Sequence, residues 1–362
     1  VTQKTKKLLV MAGGTGGHVF PALAVAEDLR KQGWEVTWLG TKRGMEAQIV
    51  PSHNIELDYV SIYGLRGKSK LSLLLAPLRL LQALLQSMHI IKKRKPDCIL
   101  GMGGFVAGPG GLAAWLLRKP LVIHEQNAIA GVTNRILSKM AKVVCESFPN
   151  TFPAKGKLHT TGNPVREEIY SLPVPEQRFA QRNGKIRLLV LGGSRGAKAI
   201  NDMVPAALAK IPQEQRPEVW HQCGDKHFDA ANLSYLEYGV EATVEPFIKN
   251  MAEAYAWADA VICRAGALTV AEIIAAGLPA LFIPYPYAVD DHQTKNAQAL
   301  VDSGAAELIQ QTDLSADKLH EIIAKQFSDR TTLLQHAQKA RALQQKNATQ
   351  QIAEFCTEVI RG

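Results

Sequence analysis

Short runs of apolar residues recur along the chain, and most are followed by a longer stretch with the 3.6-residue period of a helix. The runs at 8–12, 35–39, 98–100, 121–123, 143–145, 188–191, 218–222, 260–263 and 280–283 are predicted to be strands. Strands alternating with helices predict an α/β fold of parallel sheets covered on both faces, with ligands bound beyond the carboxyl ends of the strands. Glycine clusters fall at that end. Strand 8–12 runs into Gly13-Gly14-Thr15-Gly16-Gly17-His18 and a helix over 19–31. The arrangement returns at 188–191, Gly192-Gly193-Ser194-Arg195-Gly196 and a helix over 197–210. A tight turn into a helix leaves backbone N–H groups unpaired at the positive end of the helix dipole, which suits a phosphate or another anion.

The chain has 362 residues, enough for two cores. The polar stretch 172–185, with Pro173, Pro175, Asn183 and Gly184, reads as the linker between two doubly wound sheets, and the last segment, 335–362, as helical. A hydrophobic fraction of 46% with 21% charged residues is that of an ordinary globular protein. Five widely spaced cysteines without a CxxC pair argue against a disulfide framework or a zinc site and fit a reducing compartment. The basic residues before the first strand lack a signal-peptide core, so no export is expected.

Charge is shared unevenly. Residues 1–165 hold 22 Lys+Arg against 9 Asp+Glu, a net of +13, whereas residues 166–362 come to −4. A cationic half suits phosphorylated substrates or an anionic membrane. Nucleic acid ranks last as a partner, because zinc-finger spacing, an RNP-type motif and a recognition helix are all missing from the sequence. The glycine loops also miss the common nucleotide fingerprints. Gly14-Thr15-Gly16-Gly17-His18-Val19 lacks the third glycine of a dinucleotide site, and the next strand ends without an acid; Lys198 does not follow a glycine as a P-loop lysine would.

Six segments taken together are more specific: GGTGGHVFPALAVAEDL (13–29), GMGGFVAGPGGLAAW (101–115), HEQNAIAG (124–131), GNPVR (162–166), GGSRGA (192–197) and CRAGALTVAEIIAAGLPALFIP (263–284). In order and spacing the chain resembles the MurG family of UDP-N-acetylglucosamine:undecaprenyl-pyrophosphoryl-MurNAc-pentapeptide N-acetylglucosaminyltransferases. The resemblance implies a GT-B architecture, with two doubly wound domains facing across a cleft. It assigns residues 1–165 to acceptor and membrane binding, 166–340 to UDP-GlcNAc binding, and 341–362 to a helix returning to the first domain. It implies inverting transfer of GlcNAc to the C4 hydroxyl of the lipid-linked MurNAc, lipid I to lipid II, in peptidoglycan synthesis at the cytoplasmic membrane face. Cell-wall or division proteins are further implied partners.

By the same resemblance, Glu272 binds the ribose diol in the early turns of a helix that begins Ala267-Leu268-Thr269-Val270-Ala271. A carboxylate there also suits the helix dipole without any ligand. Ile248 is implied to touch uracil, and Gln293 to bind the GlcNAc hydroxyls. The family often carries two consecutive glutamines where this chain has His292-Gln293. Ser194 and Arg166 complete the pyrophosphate site, where departing UDP gathers negative charge that hydroxyl, guanidinium and N–H donors stabilise. On the acceptor side, Thr15, Gly16 and Gly17 join the glycine loop 101–111 around the acceptor diphosphate, and Asn127 bonds a sugar. His18 is the implied general base. A helix N-terminus disfavours imidazolium whereas a nearby diphosphate favours it, so the two influences oppose. His124 and Glu125 rank below it. No cofactor is expected, and no metal, since no carboxylate cluster stands out beyond the pair Asp290-Asp291.

Residues 71–85 are almost wholly apolar and flanked by Arg66, Lys68, Lys70 and Lys92-Lys93-Arg94-Lys95. Ser72, Pro77, Arg79 and Gln82 interrupt a run already too short to span a bilayer, which takes about 20 apolar residues. Adsorption to anionic lipid and burial as a core helix are the two readings. Beside the transferase stand two alternatives: another UDP-sugar enzyme such as an epimerase, and a non-catalytic membrane-recruited binding protein.

Overall fold

All nine predicted strands are present, and in each sheet they form the interior. In the computed structural model, which describes residues 5–62, 75–153, 156–193 and 196–361, the chain divides into one unit of Val1–Arg166 with Gln345–Gly362 and another of Glu167–Gln344. The first unit carries β1 (Lys7–Met11), β2 (Glu35–Gly40), β3 (Glu56–Tyr59), β4 (Cys98–Gly101), β5 (Leu121–Glu125), β6 (Val143–Glu146) and β7 (Leu158–Thr160) in the order β3-β2-β1-β4-β5-β6-β7. The second carries β8 (Arg187–Leu191), β9 (Glu218–Gln222), β10 (Thr243–Glu245), β11 (Ala260–Cys263), β12 (Ala280–Phe282) and β13 (Ala306–Leu308) in the order β10-β9-β8-β11-β12-β13. Every strand pairing is parallel.

The apolar runs have a direct cause. Leu8 and Val10 enter the core on one face of the first sheet, against Val19, Ala22, Val25 and Leu29 of the helix Gly16–Lys31. Leu9 and Met11 enter the core on the other face, with Ile91 and Ala113. Side chains alternate along a strand, so a strand covered on both faces must be apolar at every position. The helix Ala348–Glu358 packs on Gly16–Lys31 and adds Ile352, Ala353 and Cys356 to the first unit's core. All five cysteines are free and buried.

Three local expectations change. The first helix begins at Gly16, three residues early, and its first turn closes directly after Thr15, whose carbonyl accepts from the amides of His18 and Val19. The stretch 172–185 is no linker: it contains the helix Pro175–Ala180 and lies within the second unit. The buried Arg178 guanidinium donates to the carbonyls of Ala276 (2.8 Å) and Gly277 (2.5 Å), where the helix Ala267–Ala276 runs out of amide donors. The helix Ala76–Arg94 is not buried on most faces. It buries Ala83, Ser87, Ile90 and Ile91, while Leu78, Leu81 and Leu85 are 65%, 51% and 57% exposed. Residues 71–74, like Arg66, Lys68 and Lys70, lie outside the described residues.

Candidate functional site

In each sheet the strand order reverses beside the first strand, at β1 and β4 in one unit and at β8 and β11 in the other. Crossovers leave there in opposite directions, which opens a crevice at the carboxyl ends. Glycine loops follow β1, β4 and β8, and Arg264-Ala265-Gly266 follows β11.

In the first unit the loops after β1 and β4 touch. Gly104 has φ +81°, and an added Cβ would lie 2.2 Å from the carbonyl oxygen of Gly13. No side chain fits where two backbones approach so closely. The first loop is held from below by Glu46, wholly buried in the helix Glu46–Ser52. Its carboxylate accepts from the Gly14 amide (2.9 Å), the Thr41 amide (2.9 Å) and the Thr41 hydroxyl (2.8 Å). Thr15 is exposed and Gly16 and Gly17 are half-exposed in the opening turn of the helix, whose first amides have no partner within the helix.

His18 stands half-exposed in that same turn, with Nδ1 3.1 Å from Oε1 of Gln126. The other polar residues of the 124–127 motif face inward. His124 is fully buried, its Nε2 2.9 Å from the Gly162 carbonyl oxygen, and burial pushes its imidazole down to about 4. Glu125 is buried and saturated: Oε1 accepts from the amide and side chain of Asn127, and Oε2 from the Gly131 amide and the Asn134 side chain. Asn127 is thereby fixed and half-buried. Arg166 belongs to this unit, its guanidinium 5.3 Å from the Phe20 ring centroid. The family resemblance implies one pyrophosphate site shared by Arg166 and Ser194, and Ser194 lies outside the described residues.

In the second unit, the helix Ala267–Ala276 opens directly after β11, with Gly266 extended at its N-cap. Leu268, Thr269 and Ala271 are half-exposed, but Ala267 and Val270 are buried, and the Val270 amide donates to the Gly266 carbonyl at 2.9 Å. Glu272 is buried, and its Oε2 accepts from the Tyr255 hydroxyl at 3.0 Å. Ile248 has a buried side chain and an amide that donates to Gln222 Oε1 at 3.0 Å. Gln293, half-exposed in the first turn of the helix His292–Asp302, accepts from the Tyr285 amide at 2.9 Å. Beside it, Arg264 donates to the carbonyls of Ile283 and Pro284 and to Gln311.

Residues 8–145 match the glycosyltransferase family 28 N-terminal domain and residues 187–353 the glycosyltransferase family 28 C-terminal domain. A protein of Marinobacter nauticus named UDP-N-acetylglucosamine–N-acetylmuramyl-(pentapeptide) pyrophosphoryl-undecaprenol N-acetylglucosamine transferase is 53% identical, covering 99% of this chain and 98% of its own. One of the same name from Nitrosococcus oceani is 52% identical, covering 98% and 99%. The crystal structure of Acinetobacter baumannii MurG aligns with a TM-score of 0.83 at 44% identity, covering 98% of this chain and 99% of that one. The chain belongs to the MurG family.

Membership makes this chain a glycosyltransferase of GT-B fold and excludes the non-catalytic alternative. The hydrogen bonds bring in residues that spacing could not find. Glu46, Gln126 and Tyr255 each hold a predicted MurG-type site residue or loop in place. Gln126 had a signal, its position inside the 124–127 motif. Glu46 and Tyr255 had none, because their partners are distant in sequence.

Proposed function

We infer that this chain transfers GlcNAc from UDP-GlcNAc to the C4 hydroxyl of undecaprenyl-pyrophosphoryl-MurNAc-pentapeptide, with the acceptor on the first unit and the donor on the second. The observation that carries the acceptor half is the contrast among three bases. His124 and Glu125 are buried with hydrogen-bonded side chains, whereas His18 is half-exposed between two glycine loops. His18 takes the proton of the C4 hydroxyl as that oxygen bonds the anomeric carbon of GlcNAc. The bond from that carbon to the diphosphate oxygen breaks, and its electron pair leaves with UDP, giving the β1,4 product. Thr15, Gly16, Gly17 and the loop 101–111 cradle the acceptor diphosphate, and Asn127 binds a sugar hydroxyl. Glu272 holds the ribose diol, the Ile248 backbone meets uracil, and Gln293 binds GlcNAc. Ser194 and the amides opening the helix Ala267–Ala276 counter the charge that grows on UDP. In this reading no metal takes part in the chemical step.

The chain works at the cytoplasmic face of the membrane as a peripheral protein. Among the described residues no helix is long and apolar enough to cross a bilayer. The exposed leucines of the helix Ala76–Arg94 are neighboured by the helix Ala107–Leu116, which exposes Trp115 and Leu116 and is followed by Arg118 and Lys119. Apolar side chains rimmed by cations suit an anionic lipid surface. Arg94 contributes little to that rim, because it is paired with Asp58 and Glu56.

Transfer of labelled GlcNAc from UDP-GlcNAc to a soluble lipid-linked MurNAc-pentapeptide analogue, run with and without EDTA, tests the whole reading. Disaccharide in both conditions is expected. Loss with EDTA alone would retain the transferase and overturn the metal statement; no product under either condition would overturn the transfer reaction for this chain.

A further inference from the structure

Gln126 is the side chain that decides what the ring of His18 can do. It lies at the end of β5 and is 2% exposed. Its own backbone is tied down, because the Asn163 side chain donates to the Gln126 carbonyl at 3.0 Å. Its amide points in a direction set by chemistry. The nitrogen Nε2 donates to the backbone carbonyl of Met102 at 2.5 Å, in the loop after β4, and Oε1 thereby faces Nδ1 of His18 at 3.1 Å. Turning the amide over would press Oε1 against the Met102 carbonyl oxygen, two acceptors without a proton between them in a buried place. Gly103 closes the same edge of the ring: an added Cβ would lie 2.6 Å from His18 Nδ1 and 3.3 Å from Gln126 Oε1.

From this arrangement we propose that Gln126 is a positioning residue that selects the Nδ1–H tautomer of His18 and so keeps the Nε2 lone pair available for the acceptor hydroxyl. The inference rests on His18 being the general base, and adds how the chain keeps it in the competent form. An acceptor facing Nδ1 requires a hydrogen there, and a neutral imidazole carries only one. The lone pair is therefore on Nε2. When Nε2 takes the C4 hydroxyl proton, the Nδ1–H to Oε1 bond persists and strengthens as the ring becomes cationic, so nothing need reorient during transfer. The Met102 carbonyl makes the device a relay: the loop after β4 fixes the amide, the amide fixes the proton, and the proton leaves the opposite nitrogen bare.

The decisive measurement uses the protein labelled with ¹⁵N-histidine, with the imidazole of His18 neutral. Long-range ¹H–¹⁵N correlation, with His18 assigned by the signal missing from His18→Ala, is expected to show Nδ1 protonated and Nε2 bare. A wild-type ring protonated on Nε2 would overturn the proposal, and this arm needs no variant at Gln126 to fold. The second arm is Gln126→Met, which keeps the side chain's length and removes both polar atoms. It should lower kcat by roughly 10- to 100-fold, within what a general base supplies, with both KM values unchanged and the tautomer signature mixed. On a His18→Ala background the same change should add nothing. An equal loss on that background means that Gln126 acts independently of His18 and sinks the idea, as does normal turnover in Gln126→Met. His18→Ala with near-normal turnover would instead remove the base reading and the catalytic consequence of the relay, and the spectrum would still report whether Gln126 sets the proton.

Discussion

Tyr255 donates its hydroxyl to Oε2 of Glu272 at 3.0 Å, and both side chains are buried in the second unit. The bond helps to hold the carboxylate in place. If Glu272 binds the ribose diol, Tyr255→Phe should raise KM for UDP-GlcNAc about 10-fold, the effect of about 1.4 kcal/mol, and Glu272→Ala should raise it further. Steady-state kinetics at varied donor concentration measure both. An unchanged KM in Glu272→Ala would leave Glu272 as a structural carboxylate.

Glu46 accepts three hydrogen bonds beneath the first glycine loop. Glu46→Gln replaces one oxygen with a donor facing an N–H, so it should destabilise the protein by about 1–3 kcal/mol. Because the loop cradles the acceptor in the proposed reaction, KM for the lipid-linked acceptor should rise while KM for UDP-GlcNAc holds. Denaturant melts and acceptor kinetics check the two halves separately.

His221 supplies a pH dependence. Its Nδ1 lies 2.9 Å from the Tyr235 hydroxyl and its Nε2 3.1 Å from Asn201 Oδ1, and burial pushes the imidazole from 6.5 to about 3. The unfolded chain therefore takes up this proton first. Above the unfolded value the group does not affect stability; as pH falls below it, stability declines until the folded value is reached. On the order of 3 kcal/mol should be lost between about pH 6.5 and pH 4, and His221→Asn should show a shallower slope across that window. Thermal melts at stepped pH give the comparison. His124, pushed down to about 4 in the first unit, adds a loss of the same sign.

Leu78, Leu81 and Leu85 lie three and four residues apart on one exposed stripe of the helix Ala76–Arg94. Changing all three to Ser should weaken binding to vesicles containing anionic lipid at least about 10-fold, since each buried leucine contributes about 1.5–3 kcal/mol, and leave turnover of a soluble acceptor analogue intact. Vesicle sedimentation unaffected by the triple change would remove this helix from the membrane surface.

The strands that sequence patterning misses are β3, β7, β10 and β13, and these are the four edges of the two sheets. Their sequences, ELDY, LHT, TVE and AEL, are short and mostly half-exposed or exposed. An edge strand pairs on one side only and has less apolar surface to hide, so it leaves little mark in the pattern. The stretch 172–185 misleads for the opposite reason: most of its polar residues are exposed, but Arg178 is buried where it serves the end of another helix.

Sequence by itself determined the parallel α/β class, the interior strands and the glycine loops at the carboxyl ends of the strands. Each of these follows from local rules, the alternation of side chains along a covered strand and the need for small residues where a chain turns into a helix. Six ordered motifs also carried the family. Tertiary structure alone decided which candidate base is open and which are enclosed. His124, Glu125, Gln126 and Asn127 are neighbours in one motif, yet β5 delivers them to different surroundings, and their chemistry follows burial and partners. Gln126 meets His18 across 108 residues and Gly14 meets Glu46 across 32. Hydrogen bonds of that span depend on strand order and loop contact, which no local pattern of residues encodes.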